Sequence, residues 1–252
     1  MTRVLVPLAI LEGESVSTGL PTLLEPMDVT VLGYHVLPEQ TPPDQARLQY
    51  EDRATDALVD LAAAFEAAGG SADHRLVFTH DRAQTIDRVA AETAADAYAI
   101  AGVTGPIDRL LVSLTGDVAV ERISSFVTEL VGDREIVLTV FLATDDEAGG
   151  RESLEAAAAT LSERGIDVRT ELAVSSAPTE ALVEAAAGHD AIVMGERAPS
   201  LRSLVFGDEA ERVAAESIGP VLVVRTLEEA DDTAARGDRP PDADRPPRLE
   251  NS

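Results

Sequence analysis

Four short stretches of this chain recur in the same order, and such a repeat limits the fold more than composition does. RVLVPL at Arg3 matches RLLVSL at Arg109; both are arginine-led apolar runs of strand type. DVTVLGYHVL from Asp28 matches EIVLTVFLAT from Glu135, and HRLVFTHD from His74 matches DVRTELAVSS from Asp167. DAYAIAG from Asp96 matches DAIVMGE from Asp190, each directly after an alanine-rich helical stretch. Helical spacing lies between the runs. Leu154, Ala157, Ala158 and Leu161 share one face, and Gly165 is placed to cap that helix. A further helix is expected over Thr179–Ala187, after the helix-start residues Ser176 and Pro178. Strands and helices in alternation, joined by right-handed crossovers, build a parallel sheet covered on both faces.

The copies differ at their ends. After DAIVMGE the second continues through a loop and a helix to the strand PVLVV at Pro220. The first passes from Gly102 through VTGPID directly into the next strand. Four strands are therefore expected in residues 1–106 and five in residues 107–226. From Leu227 the chain repeats Asp-Arg-Pro-Pro and carries almost no apolar side chains, so residues 227–252 are expected to be a disordered acidic, proline-rich tail.

Net charge sets the next limits. With 46 acidic against 20 basic residues the chain carries −26, and every basic residue is arginine. Self-repulsion of this size is tolerable where concentrated salt screens it, and the composition resembles that of salt-in halophiles. An acidic mesophile protein from a GC-rich genome would favour Arg and Ala too, but would not require the charge excess. Duplex nucleic acid is excluded as a partner, because binding it needs a basic surface. The absence of cysteine removes disulfides, zinc–thiolate sites and a catalytic thiol. The opening MTRVLVPLAILEG is too short for a membrane span and lacks a signal-peptide pattern, so no membrane insertion and a cytoplasmic location are expected.

AIVMGERA, the final GPVLVVR, the helix between them and YHVL together resemble the universal stress protein family, in its tandem haloarchaeal form. The resemblance covers residues 1–226 and is strongest in the second half. It implies an α/β fold: two tandem parallel-sheet, Rossmann-like units, the first lacking the last helix and strand. It also implies a role in stress adaptation or regulation by association with a protein partner, and no enzymatic activity. Members of the family commonly dimerise, and an open last strand at Val221–Val224 points to a homodimer through that strand.

Many members hold ATP on a loop of pattern Gly-two residues-Gly-nine residues-Gly-Ser/Thr, and here that loop departs from the pattern. Gly195 matches the first glycine and Gly207 the last, but the second is Ala198, whose Cβ restricts close backbone approach. Eight residues separate Ala198 from Gly207, one short of the pattern, and Asp208 replaces the hydroxyl residue. The aspartate that reads the adenine side is replaced by Ala9 in the first copy and Thr115 in the second. Read by spacing alone, Asp208 is the N-cap of a helix with Ala210, Val213, Ala214 and Ser217 on one face, and Glu211 completes a capping box. Its carboxylate would take the N–H groups that a phosphate needs. Hence no cofactor is expected, ATP and AMP included. The alternative is a sensor of adenine nucleotides or other anions at Gly195–Gly207, with Arg197 and Arg202 as donors.

Other candidates carry less. His35, His74, His80 and His189 lie at no metal-ligand spacing, and His80-Asp81 reads as a loop after a strand. SLTGDVAVERISS lacks the nucleophile elbow of hydrolases, and TDDEAGGRES at Thr144 reads as a solvated acidic turn.

Overall fold

In the computed structural model, residues 1–100, 102, 105–115, 120–195 and 219–225 are described. Their elements run β1 (Arg3–Ala9), α1 (Gly19–Leu23), β2 (Asp28–Val36), α2 (Pro43–Ala67), β3 (Ser71–Thr79), α3 (Arg82–Glu92) and β4 (Ala97–Ile100). There follow β5 (Arg109–Ser113), α4 (Val120–Val131), β6 (Val137–Thr144), α5 (Glu147–Glu163), β7 (Val168–Val174), α6 (Pro178–Ala186), β8 (Ala191–Gly195) and β9 (Val221–Val224). All nine strands join one sheet in the order β3-β2-β1-β4-β9-β8-β5-β6-β7. It is an α/β fold with a mostly parallel sheet. The tail, residues 227–252, lies outside the described residues.

Period-two alternation explains the two layers. Val4, Val6 and Leu8 face one side with Leu58 of α2, Phe126 of α4 and Leu154 of α5. Leu5, Leu111 and Ile192 face the other side with Ile86 of α3 and Leu182 of α6. Thr30 departs from the apolar pattern: it is fully buried, and its hydroxyl finds no hydrogen-bond partner among the described residues. A buried hydroxyl in that state costs more than the methyl of the same shape. Thr30→Val is expected to raise unfolding free energy by about 1 kcal/mol in denaturant titration. A loss of stability would show that the hydroxyl is satisfied.

The aspartate that precedes the last matched strand of each repeat has a structural reason, since its side chain and main chain both bond the backbone of the repeat's leading arginine. In β1 the Arg3 N–H donates to Asp96 Oδ2 at 3.0 Å, and the Asp96 N–H returns to the Arg3 carbonyl at 2.8 Å. In β5 the Arg109 N–H donates to Asp190 Oδ2 at 2.8 Å, and the Asp190 N–H returns to the Arg109 carbonyl at 2.9 Å. Burial works against ionisation of Asp190, but hydrogen bonds from Arg109 and from the Asp108 N–H outweigh it and hold the carboxyl below its ordinary range.

The ladders correct two of the sequence matches. Arg3 pairs with Asp28 while Arg109 pairs with Val137, so Asp28 corresponds to Val137 and not to Glu135. Asp28 pairs with Ser71 while Leu138 pairs with Val168, which sets Ser71, and not His74, beside Asp167 in the comparison.

The larger correction concerns β9. It pairs in parallel with β8 and antiparallel with β4, Val223 lying between Met194 and Tyr98. The strand expected to be an open edge is interior, so a homodimer cannot form through Val221–Val224. Two separate parallel sheets are likewise replaced by one sheet with an antiparallel seam. The physical reason is proximity. The missing fifth strand leaves an edge on β4, and β9 of the same chain meets it at a far higher effective concentration than a second molecule could. On its other side β9 lies close to the start of β8, where Gly219 is needed: a Cβ there would stand 2.7 Å from the Asp190 carbonyl carbon. Arg225, next after β9, holds the antiparallel seam, its N–H donating to the Asp96 carbonyl at 2.8 Å and its guanidinium to the Ala95 carbonyl at 3.0 Å. Arg122 pairs with Asp96 at 3.2 Å and Arg134 donates to the Thr22 and Leu23 carbonyls at 2.7 and 3.0 Å, joining α4 to the first half. The outer edges of the sheet are β3 and β7.

Candidate functional site

The carboxyl ends of β5, β6 and β7 open into a cleft of about 750 Å³. In open α/β sheets that end of the strands is where ligands are received. Leu114, Leu142 and Ala143 form its floor, and Thr144, Asp145, Asp146, Ser175 and Ser176 contribute its polar rim.

Most of these polar groups are already engaged with the backbone. Thr115 is buried, and its Oγ1 accepts the Ala143 N–H at 3.1 Å while its own N–H donates to Ser113 Oγ at 3.2 Å. It ties the end of β5 to β6. Asp146 is the N-cap of α5, where Oδ1 accepts the Gly149 N–H at 3.1 Å. The stretch expected to be a solvated turn is therefore a helix start, and its carboxylate occupies the positive end of α5. Gly150 lets the helix lie close to the sheet, because a Cβ there would meet Leu172 Cδ1 at 2.9 Å and Thr144 Cγ2 at 2.6 Å. Thr144 Oγ1 accepts the Asp146 N–H at 3.2 Å, and Ser175 Oγ accepts the Ala177 N–H at 3.0 Å. Ala177, the N-cap of α6, gives that helix no side-chain cap.

The corresponding end of β1–β3 is built differently. By the ladders Tyr34 stands where Ala143 does, His35 where Thr144 does and Leu37 where Asp146 does. His35 meets Tyr50 edge-on at 5.9 Å and Phe78 at 6.3 Å, and Leu37, Ala46 and Phe78 form a small buried cluster beside them. Arg82 lies over the Tyr34 ring at 5.2 Å. Rings from β2, β3 and the first turns of α2 thus fill one strand end, while among the described residues its counterpart is open and acidic.

Of the residues singled out in the sequence, Gly195 ends β8, is buried and pairs with Val224. Arg197, Ala198, Arg202, Gly207 and Asp208 lie outside the described residues. The Ala9 N–H donates to Glu14 Oε2 at 2.5 Å. His80 Nδ1 meets the Leu37 carbonyl at 3.2 Å, and Asp81 caps α3 by accepting the Gln84 N–H at 3.0 Å, as a loop reading requires. His189 bridges the Ala185 carbonyl and Thr139 Oγ1. Among the described residues no group of three or more His, Cys, Asp or Glu is placed to hold a metal ion, and no helix is long and apolar enough to cross a membrane. Sequence reasoning missed Asp145 and Asp146 as cleft residues. The available signal was an aspartate before a helix-spaced run with two glycines in its first turn.

Residues 130–225, from the end of α4 through β9, match the model of the universal stress protein family. Among curated proteins there is no significant match. The chain is similar to the crystal structure of a universal stress protein from Archaeoglobus fulgidus DSM 4304, at 17% identity and a TM-score of 0.60, covering 88% of this chain and 96% of that one. It is also similar to a functionally unknown protein from Pseudomonas aeruginosa PAO1, at 17% identity and a TM-score of 0.47, covering 89% and 92%. At such identity the first likeness shows the fold alone.

Proposed function

We propose that the whole chain, from residue 1 to residue 226, is a tandem universal stress protein that works by association with another protein in stress adaptation or regulation. In this reading it is cytoplasmic, halophilic and non-catalytic, and it binds no ATP. Its units are residues 1–106, without the last helix and strand, and residues 107–226. The repeated Arg–Asp hydrogen bonds of β1–β4 and β5–β8 support two copies of one unit.

The observation that carries the loss of nucleotide binding is Thr115. By the resemblance it stands at the place of the adenine-side aspartate, and instead of a free carboxylate it offers a buried hydroxyl that accepts the Ala143 N–H. Asp145 and Asp146 on the rim add negative charge where a triphosphate would have to enter. Titration calorimetry with ATP in molar KCl is expected to show no binding tighter than about 1 mM. A micromolar dissociation constant would overturn the reading in favour of a sensor that uses Gly195–Gly207. Asp208→Ser separates the two further. As a cap it can be replaced with no gain in affinity, whereas as a blocked phosphate site it would gain nucleotide binding.

A further inference from the structure

We propose that Arg236–Arg248 of this same chain docks in the open cleft at the ends of β5–β7. The inference rests on the cleft and on where the chain leaves the sheet, not on the regulatory reading above.

Strand β9 runs parallel to β8 with Val224 beside Gly195, so the chain leaves β9 at the edge where the cleft opens. From β9 the sheet order runs through β8 and β5 to β6, three spacings of about 4.8 Å, or roughly 15 Å. A free segment from Arg225 to Arg236 spans a root-mean-square distance of about 18 Å, so the cleft is within reach without extension.

Charge favours this occupant. In a chain of net −26, RGDRPPDADRPPR holds Arg236, Arg239, Arg245 and Arg248 against Asp238, Asp242 and Asp244. The rim it faces carries Asp145 and Asp146, which oppose an anionic ligand and suit guanidinium groups. Between the arginines lie Pro240-Pro241 and Pro246-Pro247; proline pairs have little backbone freedom to lose on docking, and their rings suit the floor of Leu114, Leu142 and Ala143.

The chain has no cysteine, so two can be introduced as label sites. Glu163→Cys, at the far end of α5, and Ala243→Cys are labelled with nitroxides in the full-length protein, and their distance is measured by double electron–electron resonance in molar KCl. Docking predicts one narrow distance near 25 Å, about the length of α5. Arg239→Glu with Arg245→Glu should broaden it, and so should Asp145→Arg, which leaves the Asp146 cap intact. Tenfold dilution with unlabelled protein should leave it unchanged. A broad distribution in the parent protein, or a narrow one indifferent to the charge reversals, would overturn the proposal. Loss of the narrow distance on dilution would do the same, by assigning the cleft to the tail of a second copy.

Discussion

Val223→Arg is expected to destabilise the fold by more than about 4 kcal/mol, measured by denaturant titration in molar KCl, and not to divide a dimer. Val223 is 6% exposed and packs in the layer that holds Leu5, Ile86 and Leu111. Removing it forfeits the burial of one aliphatic side chain, about 1.5–3 kcal/mol. The arginine that replaces it must leave a guanidinium unpaired between β4 and β8 or force the seam apart, and either costs several kcal/mol more. Val174 on the edge strand β7 is 57% exposed and supplies the control, since Val174→Arg should change stability by about 0.5 kcal/mol or less. A Val223→Arg protein with full stability and half the mass would restore the open-edge interface that the sequence suggested.

That interface shows where sequence reading stops. The alternation of strands and helices was legible, because apolar runs, caps and alanine-rich faces are local signals. Even the helix ending at Gly165 is visible locally: Gly165 has φ +83° and its N–H bonds the Ser162 carbonyl. Register was not legible, for a reason that lies in the strand period. Matching Asp28 to Glu135 instead of Val137 shifts the comparison by two residues, which leaves every side chain on its own face and the apolar pattern intact. Matching His74 to Asp167 shifts it by three and should have swapped faces, but β3 and β7 are outer strands whose residues are nearly all exposed or half-buried, so the pattern there is weak. Only the Arg3–Asp96 and Arg109–Asp190 bonds fix the correspondence, and those join residues far apart in the chain.

The cleft was hidden by composition. Asp146 is a good N-cap, yet it precedes Glu147, Ala148, Gly149 and Gly150, and two glycines in a first turn oppose helix formation by about 1 kcal/mol each. Packing decides instead. A side chain at Gly150 would collide with Leu172 and Thr144, so the position needs glycine for the helix to reach the sheet. A propensity argument sees the cost of that glycine and not the contact it permits. The seam between β4 and β9 was likewise a choice between two pairings of equal local quality. It was settled by chain connection, on which the strand sequences are silent.

The second large effect concerns salt. Melting temperature is expected to fall by about 10–20 °C between 1 M and 0.01 M KCl, as the Debye length grows from about 3 Å to about 30 Å. A uniformly charged sphere of the folded size with the net charge of −26 loses, relative to the expanded chain, on the order of 20 kcal/mol over that range. Counter-ion association and proton uptake by crowded carboxylates reduce this several-fold, but about 5 kcal/mol is already a large part of the stability of an ordinary domain. The exposed pairs Arg47–Glu51, Arg88–Glu92 and Arg151–Glu147 cannot offset it, since each is worth only about 0.3–0.5 kcal/mol. Concentrated salt also strengthens apolar burial, so the cause must be separated from the effect. Sucrose at 1 M strengthens burial without screening charge. If it restores the melting temperature in dilute buffer as fully as KCl does, repulsion is not the origin. If the melting temperature does not move with KCl at all, the acidic surface is no adaptation to salt. The expected result is recovery in KCl and little recovery in sucrose, because carboxylates that repel through water are relieved only by ions between them.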